Sequence, residues 1–419
     1  MFIPRGSIRH ELGGDLWNSF YSLLNPNTLK KVNDKTRKKT SEAINKEFDQ
    51  YKSHLLPYAR TCFLTIIKAL NISKGSEVLM TPINIYPILN VIESLELKVK
   101  FIDINLYDYG PDYEFLDYHL SKKPSFFLLT YLFGYVPNLK LITEKCKQYN
   151  VPLIEDFSQA IGAKYNDKIL GTFGIASFYS ASLTKYVDGY NGAFLLHKKY
   201  DLNLQNEIEN ELTLFLDPSP KRIKSIIFKT LIWNFALNRF FFNFFTYPFL
   251  YTLKILNKNC FKKIIGPNIS FKKDIDLPGY YFENISEIQA KTIYRFLKKL
   301  PQLISERRKC FRRFETAYNE IINNKEYSTK IQKINNYKGN VYWQLVLKVK
   351  NTQIAQDILF SWGIETGTTN LPNLASEYFF KLPNAIALKN NHIFIPLHSY
   401  LKKSDYKKLI IKLFHCGQI

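Results

Sequence analysis

At 419 residues the chain is long enough for two or three packed units, and its 46% hydrophobic and 22% charged residues exclude a disordered or fibrous class. A formal charge of +22 suits nucleic acid, an anionic membrane surface or anionic substrates, and equally a lysine-rich composition with no partner behind it. The five cysteines, Cys62, Cys146, Cys260, Cys310 and Cys416, form no CxxC pair or zinc spacing, so we expect a reduced, cytosolic protein without a structural metal.

The opening "MFIPRGSIRHELGGDLW" has no apolar stretch behind its basic residues, so no secretory signal is expected. From Glu77 to Lys198 six short apolar runs, at 77–82, 98–104, 125–134, 151–158, 175–181 and 192–198, alternate with helical patterns. Runs apolar on both faces predict buried strands of an α/β fold, with a largely parallel sheet and helices on each side. Ligands in such sheets bind at the carboxyl ends of strands, where Asp156 and Ser180 fall. The stretch 221–273 breaks the pattern with eleven Lys/Arg, no Asp or Glu and ten phenylalanines, and reads as an insertion. Beyond it the periodicity predicts a long helix over 286–324, a strand over 341–350, a helix around 352–362, and a closing strand and helix over 392–398 and 402–414. The chain thus divides into an N-terminal arm and large domain (1–220), the insertion (221–273), and a long helix with a smaller C-terminal α/β domain (274–419).

Two residues carry the chemistry. A pyridoxal-phosphate (PLP) enzyme needs a lysine to hold the cofactor aldehyde covalently and an Asp against the pyridinium nitrogen. Asp156 at one strand end and Lys185 beyond the next are placed for these roles. Taken singly, the first is an ordinary helix cap and the second a solvated charge. Together they sit in "LIEDFSQAIGAKYNDKILGTFGIASFYSASLTKYVDGYNGAFLL", which resembles the DegT/StrS-type sugar aminotransferases of PLP fold type I: an "I-E-D-x-x-Q" element, a "G-x-x-G" turn, a serine at a strand end, then the lysine and a glycine pair. Asp156 and Gln159 fall on that family's pyridinium and ring-oxygen contacts and Ser180 on its phosphate-binding serine. Lys185 follows Asp156 by 29 positions, the family's spacing.

The resemblance extends over most of the chain outside the insertion. "KGSEVLMTPINIY" places Tyr86 where an aromatic residue stacks on the cofactor ring. "YARTCFLTIIKAL" stands for the family's phosphate-binding "S-G-T-x-A-L", keeping the hydroxyl as Thr61 but with Arg60 in place of glycine, where a guanidinium can itself meet phosphate. "YYFENISEIQA" resembles the segment that reaches the neighbouring subunit's site, with Phe282 for its asparagine and Asn284 for its arginine. His398, in "IFIPLHSYL", reads as structural as readily as functional.

The resemblance implies pyridoxal 5'-phosphate as cofactor and an obligate homodimer. It also implies a two-stage exchange in which an amino donor, glutamate in this reading, loads the cofactor and the amine passes to a keto-sugar on a nucleotide or lipid carrier, for lipopolysaccharide or other glycan biosynthesis. Lys185 would carry the proton. Sugar dehydratases of this family have histidine in place of the lysine, and here the lysine stands. A non-catalytic PLP-binding regulator or scaffold is the alternative, kept open by Arg60 and Phe282. Nucleic acid is disfavoured, because the basic cluster is apolar-rich and carries no recognition motif.

The insertion supports one further expectation. Ser225, Lys229, Asn234, Asn238 and Asn243 recur every four or five positions, which predicts a helix with one narrow polar stripe and an otherwise apolar, aromatic surface that leaves water. The segment between Arg239 and Lys254 contains Pro248 and is too short to span a bilayer. It is suited to lie in the interface of an anionic membrane, making the protein peripheral on the cytoplasmic face. Otherwise it buries its apolar faces in a dimer or against the large domain.

Overall fold

The computed structural model describes residues 2–6, 20–22, 24–257, 259–261, 277–323, 334–369 and 371–419. Its main sheet opens with β1 (Tyr51–Leu56), a strand absent from the sequence reading because Lys52 and His54 interrupt its apolar residues. The six apolar runs then form β2 (Glu77–Met80), β3 (Lys98–Phe101), β4 (Phe127–Thr130), β5 (Leu153–Asp156) and, after a small hairpin of β6 (Lys164–Tyr165) and β7 (Lys168–Ile169), β8 (Ala176–Ala181) and β9 (Gly192–Lys198). The strand order is β1-β9-β8-β5-β4-β2-β3. The five from β8 to β3 are parallel, β9 runs antiparallel to β8, and β1 antiparallel to β9.

Two apolar layers sandwich the sheet. On one side the helix Ala59–Ala69, buried nearly all round, packs Phe63 and Ile66 with Val78, Ile154 and Phe178. On the other, Leu139, Ile142, Phe157, Tyr179, Ile293 and Phe296 meet. Fully burying each such side chain contributes about 1.5–3 kcal/mol, which is why strands of unbroken apolar sequence sit centrally.

The predicted long helix is Glu287–Ile322, opened by a Ser286/Gln289 capping box. It serves both units: Ile293, Phe296 and Leu300 enter the large-domain core, while Phe311, Phe314 and Tyr318 enter the core of the small one, with Pro301 between the two sets. The small unit pairs β10 (Leu345–Lys348) antiparallel with β11 (His392–Ile395), covered by the helices Thr352–Ser361 and Lys403–His415. β10 is shorter than the sequence pattern because Val341 leaves the strand to bond the large domain, donating to the Gly134 carbonyl at 2.9 Å and accepting from the Tyr186 hydroxyl at 2.5 Å.

The insertion departs from the expected single striped helix. A helix over Pro220–Leu237 buries Ile223, Ile227 and Leu231 against Leu29, Tyr190 and Ile288. It stops at Asn238, whose side chain accepts from the Phe240 N–H at 3.0 Å and starts the next turn. A π-helical stretch (Phe242–Thr246) leads into the helix Tyr247–Leu256, which seats Tyr247 and Leu250 on Phe360 and Phe2. The asparagines of the expected stripe are thus used as caps and anchors: Asn234 is buried, and Asn243 bonds the backbone of Phe2 and Arg239. Asparagine carries both a donor and an acceptor, so spacing alone does not separate a wet stripe from a set of anchors. Phe228, Ile232, Trp233, Phe235, Phe240, Phe244, Phe245, Phe249, Tyr251, Ile255 and Leu256 are left facing solvent. Residues 258 and 262–273 of the insertion lie outside the described residues. No helix among the described residues is long and apolar enough to cross a membrane.

Candidate active site

Asp156 is the last residue of β5, and the turn after it is built on Ser158. The Ser158 N–H donates to Asp156 Oδ1 at 3.0 Å, and its hydroxyl oxygen accepts from the Ser180 N–H on β8 at the same distance. One serine therefore fastens two strand ends together. Burial pushes the Asp156 carboxyl up, while Ser158 and the nearby charge of Lys185 pull it back. Gln159, one residue on and buried, accepts the Phe133 N–H at 2.8 Å through Oε1. Its NH2 has no protein acceptor among the described residues.

Lys185 lies in the loop between β8 and β9, directly after Thr184, whose φ of +73° is rarely adopted by a β-branched residue. The carbonyl of Thr184 accepts the Trp343 indole N–H at 3.0 Å, and Lys185 Nζ sits 3.9 Å from the centroid of that indole. Trp343 is itself fixed from the long helix, where Arg307 donates to the carbonyls of Tyr342 and Trp343 at 2.8 Å each. Desolvation lowers the Lys185 amine to about 8, against the opposing pull of Asp156. By side-chain exposure Lys185 is partly buried. The amine is far easier to free of its proton than an ordinary lysine's.

Beside Asp156 runs the first turn of Ala59–Ala69, close enough for that carboxylate to act on the Cys62 thiol. Tyr58 gives this helix no side-chain cap, and the fully buried Thr61 hydroxyl finds no hydrogen-bond partner. The Arg60 guanidinium lies over the rings of Tyr58, Tyr281 and Tyr280 at 4.0, 4.7 and 5.3 Å, with Nε buried and unpartnered. An uncapped helix start, an orphaned hydroxyl and a cation without a carboxylate together suit a phosphate. A buried carboxylate facing an amine of lowered basicity suits a cationic ring that carries an aldehyde.

Asp156, Gln159, Ser180 and Lys185 therefore converge at the strand ends, with Thr61 and Arg60 at the adjoining helix start. The other predicted residues have their own partners. The Tyr86 hydroxyl donates to Glu377 at 2.9 Å, and burial followed by Glu377 pushes it up to about 12. Asn284 donates to the carbonyls of Phe215 and Leu216 at 2.9 and 3.1 Å, while Phe282 packs edge-on against Phe215. His398 is structural in its contacts, bonding the Pro4 carbonyl at 2.7 Å and stacking on Tyr400. Sequence reasoning missed Ser158, Thr184, Trp343 and Glu155. The last, beside Asp156 but on the opposite face of β5, accepts from the Tyr131 hydroxyl (2.6 Å) and from the N–H groups of Gly171 (2.8 Å), Phe173 and Gly174 (2.7 Å each). Its only signal was an acidic residue inside an apolar run.

Known proteins resemble this chain in sequence over part of its length and in fold over nearly all of it. The model of the DegT/DnrJ/EryC1/StrS aminotransferase family matches residues 59–196. A "Pleiotropic regulatory protein" of Geobacillus stearothermophilus is 29% identical over 124 residues, 30% of this chain and 33% of that one. A GDP-perosamine synthase of Escherichia coli O157:H7 is 29% identical over 112 residues, 27% and 31% of the two chains. The matched part thus spans about a third of each curated relative's length. In structure, GDP-4-keto-6-deoxy-D-mannose-3-dehydratase of E coli with bound hydrated PLP superposes with a TM-score of 0.71 at 18% identity, over 99% of this chain and 100% of that one. The signature of the DegT/DnrJ/EryC1/StrS aminotransferase family thus lies in residues 59–196, and the fold is shared with the dehydratase over nearly the whole length of the chain.

Proposed function

We propose that this protein is a PLP-dependent aminotransferase that moves an amino group from an amino acid, in our reading glutamate, to a keto-sugar on a nucleotide or lipid carrier, in the building of lipopolysaccharide or another surface glycan. The observation that carries the reading is that Asp156 and Lys185 lie near enough for each charge to act on the other, with burial bringing the Lys185 amine down to about 8. When bound, PLP supplies the electron sink that makes the substrate's carbon–hydrogen bond acidic. The chain's own groups do the rest. Asp156 holds the ring nitrogen's proton, and Lys185, its basicity lowered by burial, takes and returns the proton at the reacting carbon. Thr61, Ser180 and the start of Ala59–Ala69 hold the phosphate with Arg60, and Gln159 offers its free NH2 to the ring oxygen. Tyr86 can lay its ring against the cofactor while its hydroxyl keeps Glu377. Asn284 can join only by releasing the carbonyls of Phe215 and Leu216.

Two results test the reading. On adding glutamate, the PLP-loaded protein is expected to yield pyridoxamine phosphate, measured by chromatography after denaturation. The absence of any conversion with every amino donor would favour the regulator or scaffold reading, which the name of the Geobacillus relative supports. Asp156→Asn should keep the cofactor but lose about 10²–10³-fold in turnover, because a ring nitrogen without its proton drains electrons poorly. Near-normal turnover would remove Asp156 from its role.

Arg60 makes a separate expectation. Arg60→Gly and Thr61→Ala should each weaken PLP binding about tenfold or more, in line with the loss of a charge-assisted hydrogen bond. Binding of pyridoxal, which lacks the phosphate, should be unchanged. Equal losses for both ligands in a spectral titration would take the phosphate away from these residues.

The same reading places the protein, as a homodimer, at the cytoplasmic face of an anionic membrane. The exposed aromatic face of the insertion supports this, together with the exposed Lys221, Lys224 and Lys229, which have no ion-pair partner among the described residues.

A further inference from the structure

We propose that the cleft at the elbow of the insertion takes up one hydrocarbon chain of an anionic membrane lipid, an inference that rests on the membrane-surface reading above. The cleft, of about 410 Å³, lies between the end of the helix Pro220–Leu237 and the π-helical stretch with the helix that follows, walled by Ile232, Trp233, Leu237, Phe245, Phe249 and Leu250. Its polar groups are already spoken for. The Thr246 hydroxyl donates to the Ala236 carbonyl at 2.8 Å, and at the other side Arg5 is paired with Glu365 at 3.2 Å. The rest of the wall is aliphatic and aromatic, so the chemistry selects an apolar ligand.

A cleft of about 410 Å³ takes a single aliphatic chain. The rim is aromatic and open, with Trp233, Phe245 and Phe249 at 41, 62 and 58% exposure, the residue types that settle at the headgroup boundary. Lys229 stands one helical turn before Trp233 and is exposed.

Charge argues against a second copy of this chain as the cover. A twofold contact through this face would set it against itself. Lys229, on the same side of the helix as Trp233, would then face an insertion that has no Asp or Glu between 221 and 273 to pair with it. Anionic headgroups supply the missing charge while their chains fill the cleft.

The test uses the full-length, PLP-loaded protein and phosphatidylglycerol-containing vesicles, with plain or brominated acyl chains. Trp233 is the reporter, its emission taken as wild type minus Trp233→Phe. We expect the protein to pellet with both vesicles, and brominated chains to quench the Trp233 emission by roughly half or more. Ala236→Phe, which narrows the cleft from its own wall, should still bind PLP and still pellet but lose the quenching. Equal quenching in wild type and Ala236→Phe, or pelleting without quenching, would overturn the chain-in-cleft inference and leave the membrane reading standing. Failure to pellet at low salt would overturn both.

Discussion

Replacing Lys185 with alanine is expected to lower amino transfer by about 10⁴-fold or more and to abolish the visible absorbance that the lysine-bound cofactor gives, with the fold intact. In the proposed reaction the substitution removes the covalent hold and the proton carrier at one stroke. The fold should survive because the amine contributes little to it. Burial disfavours its charge, and its nearest packing partner, Trp343, keeps its own bond to the Thr184 carbonyl. A thermal melt of the variant without cofactor should match that of the wild type. Turnover above about one part in a hundred of wild type would place the chemistry elsewhere.

The largest structural effect is expected at Glu155. Its two oxygens serve four donors: the Tyr131 hydroxyl and the backbone of Gly171, Phe173 and Gly174. Glu155→Ala takes the partner from all four, three of them buried and that of Phe173 part-buried, and at about 1–3 kcal/mol for each buried group the loss is on the order of 4 kcal/mol or more. That is a large part of the margin of a folded domain. Glu155→Gln keeps one acceptor but brings two hydrogens into a place where three backbone N–H groups point and only the Tyr131 hydroxyl can turn to accept, so it should recover less than half of the loss. Denaturant unfolding of the two variants without cofactor is the measurement. A loss under about 1 kcal/mol for Glu155→Ala would mean that water or a rotated turn replaces the carboxylate.

Much of this was legible in the sequence because burial leaves a linear trace. Six of the seven main strands were visible as apolar runs, since strands covered on both faces cannot alternate. Asp156 and Ser180 could be placed because each lies near the end of such a run, and Lys185 because it follows one. What stayed hidden depends on contacts between distant segments. β1 carries Lys52 and His54 and becomes a strand only through its ladder with β9. Trp343 is one aromatic residue in an aromatic-rich chain until Arg307 turns its backbone toward Lys185. Periodicity misled at Asn234, Asn238 and Asn243, where a wet stripe and a row of anchors look alike before folding.

The bond from Trp343 to Thr184 joins residues 159 apart in the sequence, and this sets an order of events during synthesis. The sheet strands and the loop that holds Lys185 leave the ribosome well before Trp343 does. Until then Thr184 has nothing from the small unit to hold it at positive φ, a conformation that costs about 1–3 kcal/mol. A ribosome-bound large domain can therefore complete its sheet while its lysine is still unset. The amine takes its final place only when the C-terminal part of the chain docks, so competence for the cofactor is acquired late and as a property of the whole molecule.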